Sequence, residues 1–95
     1  RPIPIAETGR KLLSETGRTR LSAYTQRVSG LADWTAAGLE AEARQAAEAS
    51  SAKLGDIAQP IRAALTGTNV SPPIFEVMQV LGREETLGRI ADALG

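Results

Sequence analysis

The stretch Leu54-Gly55-Asp56-Ile57-Ala58-Gln59-Pro60-Ile61-Arg62-Ala63-Ala64-Leu65-Thr66-Gly67 sets its apolar residues Leu54, Ile57, Ala58, Ile61 and Leu65 three or four positions apart. That spacing lines one face of an α-helix and does not alternate as a half-buried strand does. It runs straight through Pro60, which cannot donate to the carbonyl of Asp56, so the pattern predicts one kinked helix over 52–66. Gly67 supplies the left-handed stop, and 68–71 form a short loop.

Beyond the loop, Ser71-Pro72-Pro73 reads as a helix start, with Ser71 as the cap and proline harmless in the first turn. Ile74, Val77, Met78 and Leu81 continue at helical spacing, predicting a helix over 72–81 that Gly82 breaks. A last helix over 83–94 buries Leu87, Ile90, Ala91 and Leu94. Upstream, Pro2 and Pro4 alternate with Ile3 and Ile5, which excludes a helix and predicts an extended strap over 1–5, linking to a preceding domain. A short helix over 6–13 follows, then a longer one capped by Ser14 and running to Leu31, with Leu21, Tyr24, Val28 and Leu31 as its stripe. Asp33 is the expected cap of an alanine-rich helix over 34–50, in which Trp34 is the expected core anchor. The fold class is therefore all-α, a bundle of five or six short helices occupying 6–95.

Composition narrows the chemistry. With 95 residues the chain suits a single domain, and with only 3% aromatic residues its core must be aliphatic. The absence of Cys and His removes disulfides, thiol nucleophiles, imidazole catalysis and the usual zinc sites. No apolar run reaches the roughly 18 residues that suggest a membrane span, so a cytoplasmic location is expected. The chain starts at Arg1 and its methionine is Met78, from which we expect a piece of a longer protein. Formal charge is zero overall, yet residues 1–30 hold Arg1, Arg10, Lys11, Arg18, Arg20 and Arg27 against Glu7 and Glu15. Such a run is most often a solvated helix face, and its functional alternative is a surface that meets phosphates.

Composition and periodicity carry no further, and resemblance takes over. The stretch Lys53 to Gly67, followed by Val70-Ser71-Pro72-Pro73-Ile74-Phe75-Glu76-Val77 and Leu81-Gly82-Arg83-Glu84, resembles the terminal signature of bacterial glutamyl-tRNA synthetases. Asp33-Trp34-Thr35 and the opening Arg1-Pro2-Ile3-Pro4-Ile5 match the same pattern, so the likeness extends over nearly the whole chain. It implies the distal part of an all-helical cage that holds an anticodon loop, remote from the ATP-using catalytic domain. It further implies no catalysis and no cofactor within this stretch, with ATP and magnesium belonging to the parent catalytic domain. The implied partner is tRNA for glutamate, with tRNA for glutamine as a second candidate, bound by a monomer. By motif, Arg62, Ser71, Pro72 and Ile74 resemble the residues that contact the first two anticodon bases. Many relatives carry Gly where this chain has Pro73, which stiffens the turn here.

These residue types suit the role. Sequence-specific RNA recognition uses unstacked loop bases, read on their edges and covered on their faces. Arg62 offers a planar fork of donors, Ser71 a hydroxyl, and Pro72 and Ile74 rigid apolar surfaces. Asp56 and Glu76 lie near enough in sequence to be solvated neighbours or partners of Arg62. A different class of function, a scaffold domain docking a partner helix on the alanine-rich segment 34–50, fits the small residues there.

Overall fold

The computed structural model describes residues 2–95, so Arg1 of the predicted strap lies outside the described residues. Among the described residues six helices form: α1 (Glu7–Leu12), α2 (Glu15–Val28), α3 (Ala36–Ala49), α4 (Leu54–Thr66), α5 (Ile74–Leu81) and α6 (Arg83–Leu94). No strand occurs among the described residues. The all-α expectation holds, and the last helix has the predicted bounds.

Helix α4 is the hub, because its apolar residues nearly encircle it. Ile57, Ala58, Pro60, Ile61, Ala63, Ala64 and Leu65 are all buried, and such a helix must sit inside a bundle. It packs against each of the other five helices. Around it, Leu21, Tyr24 and Val28 from α2, Leu39 and Ala43 from α3, Met78 from α5 and Ile90 from α6 are fully buried. The Tyr24 hydroxyl donates to the Leu39 carbonyl at 2.9 Å, which satisfies the polar end of this core residue. Burial, with the charge of Glu42 adding, pushes the Tyr24 phenol well above its ordinary pKa, so it stays a donor. Ala43, Ala46 and Ala47 of α3 are buried against this core, so the close approach that small residues permit is used within the chain.

Local capping explains several helix starts. Ser14 accepts from the Gly17 N–H at 3.2 Å, as expected for α2. The cap of α3 is Thr35, which accepts from the Gly38 N–H, and not Asp33 as the sequence suggested. The reason is tertiary: Trp34 is held outside the helix by its indole N–H, which donates to the Met78 carbonyl at 2.8 Å. The helix therefore begins two residues later than predicted. At α4 the Asp56 carboxylate accepts from the Lys53 N–H at 3.0 Å, which satisfies the turn before the helix and occupies that side chain locally.

The turn after α3 is a left-handed stop made without glycine. Ser51 has φ 55°, its N–H donates to the Glu48 carbonyl, and the Ala52 N–H donates to the Ala47 carbonyl at 2.8 Å. A side chain in this conformation is strained where glycine is not. Ser51→Gly should therefore stabilise the domain by about 1 kcal/mol in a denaturant titration, the relief outweighing the added freedom of the unfolded chain. A loss of stability would show that the Ser51 side chain contributes a contact worth more than the strain.

Gly67 closes α4 with φ 81°, the predicted stop. Its carbonyl accepts from the Ala6 N–H at 2.8 Å, and a Cβ there would lie 2.3 Å from the Pro4 carbonyl oxygen. The extended strap is thus seated directly on the α4 C-terminus, with Ile3 and Ile5 half-buried.

Candidate nucleic-acid interface

The end of α4, the following loop and the start of α5 bring three of the four predicted residues together. The buried face of α4 fixes its rotation, which leaves Arg62 half-buried beside the loop. Its Nε donates to the Ser71 Oγ at 2.8 Å, and that hydroxyl donates in turn to the Pro72 carbonyl at 2.7 Å. Neither Nη of Arg62 has a hydrogen-bond partner among the described residues. The guanidinium is therefore held by one edge, and its remaining donors form a fixed fork at the surface. Asp56 and Glu76 do not pair with it among the described residues; both are exposed, and Asp56 serves the turn at Lys53.

Ser71 does not cap α5, contrary to expectation. A residue that precedes proline is pushed out of the helical region, so Pro72 before Pro73 cannot be helical and α5 starts only at Ile74. Pro73 occupies the cap position and has no side chain to offer. Ser71 is two residues too early and is taken by Arg62. Pro72 is exposed, whereas Ile74 is 2% exposed and packs in the core, so it fixes the start of α5 while its side chain faces inward.

Hydroxyls shape the loop between these residues. Thr66 Oγ1 donates to the Arg62 carbonyl at 2.8 Å and accepts from the Thr68 N–H. Thr68 Oγ1 donates to the Val70 carbonyl at 2.8 Å and accepts from the Val70 N–H at 3.2 Å. Val70, to which the signature gave no role, is 75% exposed in this loop. It is a branched aliphatic residue in a loop otherwise of Thr, Asn, Ser and Pro.

The basic run of the amino-terminal third divides. Arg18 donates to the Leu94 carbonyl, and Arg27 lies 3.7 Å from the Glu42 carboxylate. Lys11 and Arg20 instead border a cleft of about 200 Å³ with Gln59 and Asp56, one helical turn from Arg62. Two other arginines serve packing: Arg83 donates to the Ser29 and Leu31 carbonyls, and Arg89 to the Leu65 carbonyl. Among the described residues, no group of His, Cys, Asp and Glu could hold a metal ion, and no helix is long and apolar enough to cross a membrane.

The chain resembles known proteins over nearly its whole length. Residues 2–94 match the anticodon binding domain family. The chain is 57% identical, over its whole length, to glutamate-tRNA ligase 2 of Paramagnetospirillum magneticum, and covers 20% of that protein. Over 97% of its length it is 52% identical to glutamate-tRNA ligase 1 of Methylobacterium radiotolerans, of which it covers 19%. The crystal structure of a glutamate tRNA ligase from Elizabethkingia meningosepticum, in complex with its amino acid, superposes with a TM-score of 0.90 at 28% identity. That match covers 98% of this chain and 18% of the crystallised one. The chain thus spans about a fifth of the length of the curated relatives it matches. A full-length family match, carried on a six-helix fold with a surface-held arginine at the α4–α5 junction, places this chain in the anticodon binding domain family.

Proposed function

We propose that the chain is the anticodon-reading part of a longer glutamate-tRNA ligase, and that it binds tRNA while the catalytic domain elsewhere activates glutamate with ATP and magnesium. The observation that carries this reading is the Arg62–Ser71 hydrogen bond, which joins α4 to the loop and leaves both Nη groups of Arg62 free. A fixed fork of this kind can donate two hydrogen bonds to the edge of an unstacked base. Ser71 steadies the fork, Pro72 offers an apolar face beside it, and Ile74 sets the start of α5, whose first amides point toward the loop. Residues 1–5 serve as the link from the preceding domain and 6–95 as the binding unit. The partner is tRNA for glutamate, with tRNA for glutamine as the second candidate, and the ligase acts as a cytoplasmic monomer.

In the full-length ligase, Arg62→Ala should cost about 2 kcal/mol in tRNA recognition and relax discrimination at the base it meets. Arg62→Lys should not restore it, since an ammonium cannot replace the planar fork. Charging of glutamate tRNA and of anticodon variants measures this, with glutamate activation expected to change far less. Charging of every variant in the wild-type ratio would return Arg62 to a structural role.

A further inference from the structure

We propose that Val70 is a further base-contacting residue of this interface, its exposed side chain covering the face of an unpaired nucleobase next to the one that Arg62 reads. The proposal rests on the reading above and extends it to a residue that the signature does not assign. An isolated exposed aliphatic residue is ordinary and by itself needs no explanation. Val80, 86% exposed on the flank of α5, is such a case.

Val70 differs in how it is held. Its N–H and its carbonyl are both bound by the Thr68 hydroxyl, which in turn sits on a loop tied to the α4 end through Thr66. The next residue is Ser71, whose hydroxyl accepts from Arg62. Pro72, also exposed, follows on the other side of that hydroxyl. The loop therefore presents an apolar side chain, a polar edge and a second apolar side chain in succession, on a backbone held at Val70 and Pro72 by the Thr68 and Ser71 hydroxyls. An unstacked base has the complementary character, with apolar faces and a polar rim. A β-branched side chain adds rigidity, having few rotamers to lose when the base arrives. The cost of leaving Val70 75% exposed in the free domain is recovered only when something apolar covers it.

The test uses the full-length ligase and its Val70→Ala and Val70→Thr variants. Each is titrated with glutamate tRNA transcript, intact or carrying one abasic nucleotide in place of each anticodon-loop base in turn. Val70→Ala should raise Kd about fivefold, as expected when one to two methyl groups of apolar contact are lost. Val70→Thr, equal in shape but polar, should fall between. For one abasic position the difference between Val70→Ala and wild type should vanish, identifying the base that is covered. An unchanged Kd, or a penalty that persists against every abasic tRNA, would overturn the proposal. Arg62→Ala on the same tRNAs separates the two readings: if it weakens binding while Val70→Ala does not, only Val70 is misassigned, and if neither does, the interface itself is wrong. Self-association that Val70→Asp abolishes would assign the loop tip to a second copy and equally overturn the proposal.

Discussion

Trp34→Ala should destabilise this domain by about 3 kcal/mol, near the lower end of the range for losing a large aromatic, because the ring is only partly buried. For a domain of this size that corresponds to a drop in Tm of roughly 15 °C. The indole is nonetheless the clasp between two distant segments. Its N–H donates to the Met78 carbonyl at 2.8 Å, and that carbonyl also accepts from the Gly82 N–H at 3.0 Å and lies 3.4 Å from the Thr86 hydroxyl. On its other side the Arg83 guanidinium stands 5.2 Å from the ring centroid, within cation–π range, while its donors hold the carbonyls of Ser29 and Leu31. Removing the ring leaves a cavity at the α3–α5 junction and strips one donor from the α5 terminus. Trp34→Phe keeps most of the apolar area and should lose only about 1 kcal/mol, the net worth of the hydrogen bond. Thermal unfolding followed by far-ultraviolet circular dichroism measures both. A loss below about 1 kcal/mol for Trp34→Ala would mean that the segment before α3 repacks without its anchor.

Gly67→Ala should cost a similar amount, about 3 kcal/mol, from two separate sources. The residue has φ 81°, a conformation that L side chains rarely adopt. The new Cβ would also stand 2.3 Å from the Pro4 carbonyl oxygen, a backbone atom that cannot rotate aside. Relief requires the strap to lift, which breaks the Ala6 N–H to Gly67 carbonyl bond of 2.8 Å and uncovers Ile3 and Ile5. Because Gly67 lies between Thr66 and Thr68, whose hydroxyls shape the interface loop, the variant should also weaken tRNA binding at temperatures where it remains folded. Denaturant unfolding gives the first quantity and tRNA titration the second. A variant as stable as the parent would show that the strap detaches at little cost, and then the strap is not part of the folded unit.

The candidate site was partly legible. Arg62 and Ser71 were marked by the family signature, and they lie nine positions apart in sequence, so no local rule announces that they touch. The cap role expected of Ser71 failed on a rule that was itself local, since consecutive prolines delay a helix start. The exposure of Val70 depends on Thr66 and Thr68 drawing the loop against α4, and the burial of Ile74 depends on α3 and α4 lying beneath α5. Charge was the poorest guide. Arg18 and Arg27 look like Lys11 and Arg20 in the sequence, yet the first two are occupied by the Leu94 carbonyl and Glu42.

What the sequence alone determined are the features governed by short-range physics: an all-helical bundle of five or six helices from apolar spacing, the Ser14 cap, the left-handed stop at Gly67, the break at Gly82 and the extended strap imposed by Pro2 and Pro4. Each depends on groups within a few residues, where steric and hydrogen-bonding rules act without reference to the fold. The tertiary structure alone decided which of two nearby caps begins α3, because the choice was made by an indole reaching a carbonyl 44 residues away. It alone decided which arginines are occupied, and that Ala43, Ala46 and Ala47 of α3 face the core. Those outcomes depend on which surfaces meet when the helices bury their apolar faces, and contacts between segments distant in sequence leave no periodic trace in the chain that forms them.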